Sequence, residues 1–233
     1  MTRSSDPDRL WRQTDVFSPG KATSVITVLG AGGIGSNTVD QLARMGTGGS
    51  CQGVEGRMEV WDGDSVEEHN LPTQLFGEQD IGKKKVDALQ EHVKRDTGLD
   101  IVPVPKFWEG EKLEGLVISG VDSMAVREKI WKEGIKYKNL PLYIDGRMGA
   151  EVALIYAVRP QDPDDIKLYE SELNTDEESP EVPCTARAII YNTKMIGAFI
   201  ANLVKRWANG EEFPRELIFD FATYTFLTRE VRA

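Results

Sequence analysis

The chain has 233 residues, 40% of them hydrophobic, and a formal net charge of −10. That length allows one large α/β domain with a full core, and the acidity argues against nucleic acid as the main partner, because phosphate contacts need a basic face. Two cysteines, Cys51 and Cys184, with two histidines, His69 and His92, cannot supply a four-thiolate zinc site.

Residues 1–24 are mostly polar and are expected to form an N-terminal arm with a short helix around Leu10 and Trp11. Met1–Asp8 does not resemble a signal peptide, and the apolar helical run Met195–Val204 is too short to span a bilayer. The expectation is a soluble cytoplasmic protein with reduced thiols and no membrane partner. Val25–Leu29 is β-branched and apolar and reads as the first strand. Closely spaced glycines follow, Gly30, Gly32, Gly33 and Gly35, and then a helix over Ile34–Met45 with Val39, Leu42 and Ala43 on one face. Gly46–Gly56 contains five glycines and reads as a loop. Arg57–Asp62 is the second strand.

Asp64–Gly82 is long, polar and irregular, and such loops are functional or disordered. Lys83–Arg95 has helical spacing, Ile101–Val104 and Leu116–Ser119 read as strands, Met124–Tyr137 as a helix and Leu142–Asp145 as a fifth strand. This alternation predicts a Rossmann-like, doubly wound, mainly parallel sheet. Glu151–Val158 follows as a strand directly after a strand. Gln161–Pro183 reads as an acidic crossover loop without helical period; nine acidic residues and one lysine lie between Asp162 and Glu181. Asn192–Trp207 carries the strongest helical pattern, closed by Gly210. Leu217–Val231 alternates as a final strand or hairpin. The whole is read as one domain, with antiparallel C-terminal strands completing the sheet.

The first glycine permits a tight turn, Gly32 lets backbone approach a phosphate, and Gly35 lets the helix sit close to the strand. The helix N-terminus then offers N–H groups to an anion. Asp62 ends the second strand, where a carboxylate can hold ribose hydroxyls. These features describe a nucleotide site without separating a redox cofactor from a reactant. Three further clusters are more than a dinucleotide needs: Asp62-Gly-Asp64; Asn70 and Gln74 with Lys83, Lys84 and Lys85; and Asp122 at the tip of the fourth strand. Lysines beside a phosphate loop suit a triphosphate, and Asp122 can hold Mg²⁺ together with phosphate oxygens or cap the following helix. Lys84 reads as a solvated residue of a helix's first turn. The chemistry indicated is attack of a carboxylate on the α-phosphate of ATP.

The order Gly-x-Gly-Gly-x-Gly, Asp-x-Asp-x-Val-Glu-x-x-Asn-Leu, Asp-Ile-Gly-Lys-x-Lys and Val-Asp-Ser-Met-Ala-Val-Arg resembles the ThiF/MoeB/HesA family, the bacterial relatives of ubiquitin-activating enzymes. The resemblance covers about residues 9–231. It implies adenylation of the C-terminal glycine of a ubiquitin-like or sulfur-carrier protein, and in many members capture of the acyl group on a cysteine. By position it gives Gly30–Gly35 to phosphate and adenosine, Asp62 to ribose, Asn70, Gln74 and Lys85 to nucleotide and phosphates, and Asp122 to Mg²⁺. Arg12 matches an arginine that reaches across a homodimer into the neighbouring ATP site. Cys184, followed by Arg187, falls where several ubiquitin-type activators have Cys-Thr-x-Arg.

Two positions depart from the family pattern. Thr73 stands where members usually have a phosphate-binding arginine; Lys83 or Lys84 is a candidate replacement. The paired Cys-x-x-Cys motifs that hold structural zinc are missing, which implies a zinc-free protein. Rival readings are ATP-dependent activation of a small molecule or RNA base without a protein partner, a nicotinamide-dependent oxidoreductase, and a binding-only relative.

Overall fold

A computed structural model of the chain describes residues 25–46, 56–173 and 189–232. The N-terminal arm with Arg12, the loop with Cys51, and the second half of the crossover with Cys184 and Arg187 lie outside the described residues.

Eight strands make one sheet: β1 (Val25–Leu29), β2 (Arg57–Trp61), β3 (Val102–Val104), β4 (Leu116–Ser119), β5 (Tyr143–Gly149), β6 (Val152–Val158), β7 (Phe213–Asp220) and β8 (Thr225–Arg232). Their spatial order is β3-β2-β1-β4-β5-β6-β7-β8. The pairs from β3 through β5 are parallel, and those from β5 to β8 antiparallel. The expected Rossmann-like sheet with antiparallel C-terminal strands is therefore present. The chain winds outward from β1 through β2 to β3, then returns to place β4 on the other side of β1. That reversal opens a crevice beyond the C-terminal ends of β1 and β4, the usual ligand position in such sheets.

The helices are α1 (Gly33–Arg44), α2 (Lys85–Thr97), α3 (Met124–Lys129), α4 (Pro163–Ser171) and α5 (Ile190–Asn209). One apolar cluster unites the sheet with α1, α2 and α5 through Val39, Leu42, Leu89, Ile196 and Ile200. A second cluster, on the opposite face, gathers Trp131, Tyr143, Tyr156 and Tyr169. Alternating side chains explain the two layers: Tyr143, like Asp145, points to one face, while Gly146 on β5 meets Ile34, Ile196 and Ile200 on the other.

Two elements differ from their expected form. The helix after β4 breaks at Lys129 and continues to Ile135 as a π-turn that buries Ile130, Trp131 and Ile135. The crossover contains α4, capped by the Asp162 carboxylate, which accepts the N–H groups of Asp164 and Asp165, with Pro163 beginning the helix. Asp165 is buried and its Oδ1 lies 2.5 Å from Arg215 Nε. Part of the apparent solvated acid run is thus a helix cap and a buried ion pair. Of the two forms expected for the last segment, strand or hairpin, the structure has the hairpin, β7–β8, beginning at Phe213.

Candidate nucleotide-binding site

The crevice is built on close backbone approach. Gly30 has φ +94°, a left-handed value that favours glycine, and a Cβ there would lie 3.2 Å from the backbone of Gly120, at the tip of β4. A Cβ on Gly35 would sit 1.8 Å from the Gly30 carbonyl oxygen. These two glycines bring the start of α1 against β1 and β4. Gly32 is different: its side faces open space, with only Gln74 Nε2 at 4.0 Å. Its backbone is open to approach, and the first N–H groups of α1 follow directly.

Asp62 follows the last residue of β2 and is almost wholly buried. Its Oδ2 accepts the Ala31 N–H at 2.7 Å, and its Oδ1 accepts the Asp64 N–H at 2.8 Å. The carboxylate therefore ties the glycine loop to the segment after β2. Each oxygen keeps a second lone pair for a ribose hydroxyl. Asp64 in turn receives Lys85 Nζ at 2.8 Å, and Lys85 begins α2 with its side chain buried.

Residues 64–84 are ordered by their own hydrogen bonds. Val66 and Lys83 pair through backbone, as do Gly82 and Val66, and Phe76 anchors the loop in the core. Asn70 Oδ1 accepts the Glu67 N–H at 2.9 Å, so one side of this buried amide shapes the loop. Asp80, in the same loop, is buried. Burial pushes its carboxyl up, but hydrogen bonds from the Gly77 N–H, His92 and Lys83 outweigh that and hold it below the ordinary carboxylate range. Lys83 is drawn away from the glycine loop, with Nζ 3.3 Å from Asp80 and 2.6 Å from Glu91. Lys84 takes the position nearer the loop: its Nζ donates to the Gly63 carbonyl at 2.6 Å. Of the two lysines considered as replacements for an arginine at Thr73, the structure brings Lys84 to the Asp62 segment and not Lys83. Thr73 itself contributes backbone, its carbonyl accepting the Thr193 hydroxyl at 3.3 Å.

Gln74 carries an unmatched group. Its Oε1 is buried and accepts no hydrogen bond among the described residues, and its Nε2 faces the open side of Gly32. A buried amide oxygen without a partner costs free energy; the amide nitrogen beside Gly32 is a donor and can face an anion. Asp122 is exposed beyond β4, with no ion pair among the described residues. It does not cap α3. Ser123 does, its hydroxyl accepting the Val126 N–H. Asp122 is thus left available, and a single carboxylate suits Mg²⁺, which takes most of its other ligands from phosphate and water. Among the described residues no group of three or more His, Cys, Asp or Glu side chains is arranged to hold a metal ion, and no helix is long and apolar enough to cross a membrane.

The sequence profile of the ThiF family matches residues 21–233. The chain belongs to the ThiF family. A ubiquitin-activating enzyme E1 of Candida albicans is 29% identical in a match covering 54% of this chain and 13% of that protein. A second, from Arabidopsis thaliana, is 30% identical over 54% of this chain and 12% of its own length. Among solved structures, PaaA superposes with a TM-score of 0.66 at 16% identity, covering 91% of this chain and 65% of that one. E. coli MccB with AMPCPP and MccA gives 0.62 at 15% identity, over 91% and 65%. MccB with ATP gives 0.59 at 15%, over 89% and 64%. These likenesses concern the fold. The chain spans about an eighth of the E1 enzymes and just under two thirds of the structural neighbours.

Two residues near the crevice escaped sequence reasoning, Asp145 and Arg147. They occupy alternate positions in the middle of β5, and charge at i and i+2 of a buried strand was the available signal.

Proposed function

We propose that the chain uses ATP to adenylate the C-terminal glycine of a ubiquitin-like or sulfur-carrier protein. An oxygen of the terminal carboxylate attacks the α-phosphate, the bond to the β-phosphate oxygen breaks, and pyrophosphate leaves as the acyl-adenylate forms. The observation that carries this reading is the set of charged groups flanking one crevice, the exposed Asp122 and the Asp64–Lys85 pair, beside the open face of Gly32 and the Gln74 amide nitrogen that meets it. A nicotinamide cofactor accounts for the glycines and Asp62 and leaves these other groups without purpose.

In this reading Gly30, Gly32, Gly33 and Gly35 cradle adenosine and phosphate. Asp62 keeps lone pairs for ribose. Asn70 and Gln74 line the nucleotide, Lys85 turns from Asp64 to phosphate when ATP arrives, and Lys83 acts at a distance through Asp80. Mg²⁺ at Asp122 would neutralise phosphate charge and make pyrophosphate a better leaving group. Arg12 completes the site of a second subunit, which makes the working unit a homodimer. Cys184 then takes the acyl group: its thiolate attacks the adenylate carbonyl, a thioester forms and AMP leaves. The family match supports adenylation of a protein C-terminus, as do the E1 relatives by name and the two MccB structures with ATP or AMPCPP. Residues 1–233 act as one adenylation domain in the cytoplasm, where the thiol stays reduced; no zinc, nucleic acid or membrane enters the scheme.

A thermal-shift comparison tests the nucleotide choice. ATP with Mg²⁺ is expected to raise the melting temperature, with NAD leaving it unchanged. Stabilisation by NAD alone would make the protein an oxidoreductase and end the adenylation reading.

A further inference from the structure

Asp145 is fully buried at the end of the parallel stretch of β5, opposite Ser119 of β4. Its Oδ1 accepts Arg127 Nε at 2.9 Å. Its Oδ2 accepts Arg147 Nε at 2.7 Å and the Tyr169 hydroxyl at 2.9 Å. The two guanidinium groups then diverge. Arg127 Nη2 donates to the Val121 carbonyl at 2.5 Å, on the loop that carries Asp122. Arg147 Nη1 donates to the Glu172 carbonyl at 2.6 Å, at the end of α4. Arg147 also lies over the rings of Tyr156 and Tyr169, at 4.5 and 5.1 Å. One carboxylate thus fixes two rigid forks, and each fork holds a different segment.

We propose that Asp145, Arg127 and Arg147 are positioning residues that make the Asp122 loop and the end of α4 one mechanical unit. The proposal rests on the adenylation reading only for its purpose: ATP bound at Asp122 would be felt where the chain enters the crossover. The physical reason is cost. Moving either segment alone requires an arginine to leave Asp145 or to drop a backbone carbonyl, and a buried charge without its partner is strongly unfavourable. A fork with two donors at fixed geometry transmits displacement; a single flexible ammonium does not. None of the three side chains needs to touch substrate.

Hydrogen exchange on the full chain, followed by mass spectrometry, tests this. Arg147→Lys keeps the charge and loses the fork, and the contacts it alters lie on β5, β6, α4 and the residue after α4. It is expected to speed exchange about tenfold at residues 120–123 as well as at 170–173, and Arg127→Lys to do the converse. With ATP and Mg²⁺ added, the wild-type chain should gain protection in both segments, and Arg147→Lys only in 120–123. Arg147→Lys should also weaken ATP binding about fivefold by calorimetry, although its side chain makes no hydrogen bond to the glycine loop among the described residues. Asp145→Asn should uncouple both segments; if it does not fold, the lysine variants decide. Each lysine variant loosening only its own segment would overturn the proposal, as would nucleotide protection confined to 120–123 in the wild type. If ATP protects neither segment, the adenylation reading fails, and the comparison without nucleotide still decides the coupling.

Discussion

Gly35→Ala will lower the melting temperature by at least about 4–8 °C and abolish ATP binding. The added Cβ would stand 1.8 Å from the Gly30 carbonyl oxygen and 2.8 Å from its carbon, and both are backbone atoms that have nowhere to go. Alanine is the better helix former by about 1 kcal/mol, but overpacking against backbone costs about 3 kcal/mol or more, so the clash wins. Relief requires α1 to withdraw from β1, which opens the turn at Gly30 and its approach to Gly120. Gly32→Ala is the matched comparison. Its φ of −74° suits any residue, and its Cβ would meet nothing closer than 4.0 Å. It should leave the melting temperature within about 2 °C of wild type and still weaken ATP binding, because the methyl group fills the space a phosphate would take. Calorimetric titration with ATP and thermal unfolding of both variants separate the two roles; equal effects would mean that the open face of Gly32 is not a phosphate site.

Asp62→Ala will cost about 2–6 kcal/mol of stability and remove ribose recognition. The stability loss follows from the two N–H groups that Asp62 accepts, from Ala31 and Asp64. Each is left short of a partner beneath the loop, at about 1–3 kcal/mol apiece. The recognition loss follows from the remaining lone pairs. A hydroxyl bonded to a carboxylate is worth about 1.5–3 kcal/mol, so 2′,3′-dideoxy-ATP should bind the wild-type chain about 10- to 100-fold more weakly than ATP. In Asp62→Ala the two nucleotides should bind alike. A wild-type chain indifferent to the ribose hydroxyls would make Asp62 purely a loop tie.

Much of this arrangement is legible in the residues themselves. A β-branched strand running into spaced glycines can do little but turn into a helix, and β1, the glycine loop and α1 fall almost where the pattern puts them. Asp62 and Lys85 are legible by position because adjacent strand ends converge on the crevice. What stays hidden depends on side-chain partners far along the chain. Asp162 and Asp165 look like members of a solvated acidic run until Arg215, on β7, is seen to pair with the buried Asp165. Lys83 and Lys84 are neighbours with opposite directions, decided by the backbone pairing of Val66 with Lys83 and by α2 starting only at Lys85. The choice of Ser123 over Asp122 as the helix cap is a one-residue matter, and it leaves Asp122 available for a cation. Arg12 and Cys184 lie outside the described residues, so their roles stand on the resemblance and the chemistry proposed for them.

The most direct measurement of the central claim is exchange of labelled pyrophosphate into ATP, with Mg²⁺ and a ubiquitin-like protein ending in Gly-Gly. Reversible adenylation predicts label in ATP that depends on the partner's terminal carboxylate, is lost in Asp122→Ala, and survives Cys184→Ala, which removes only the thioester. Firm ATP binding with no exchange, using any such partner encoded beside this chain, would contradict adenylation of a protein C-terminus.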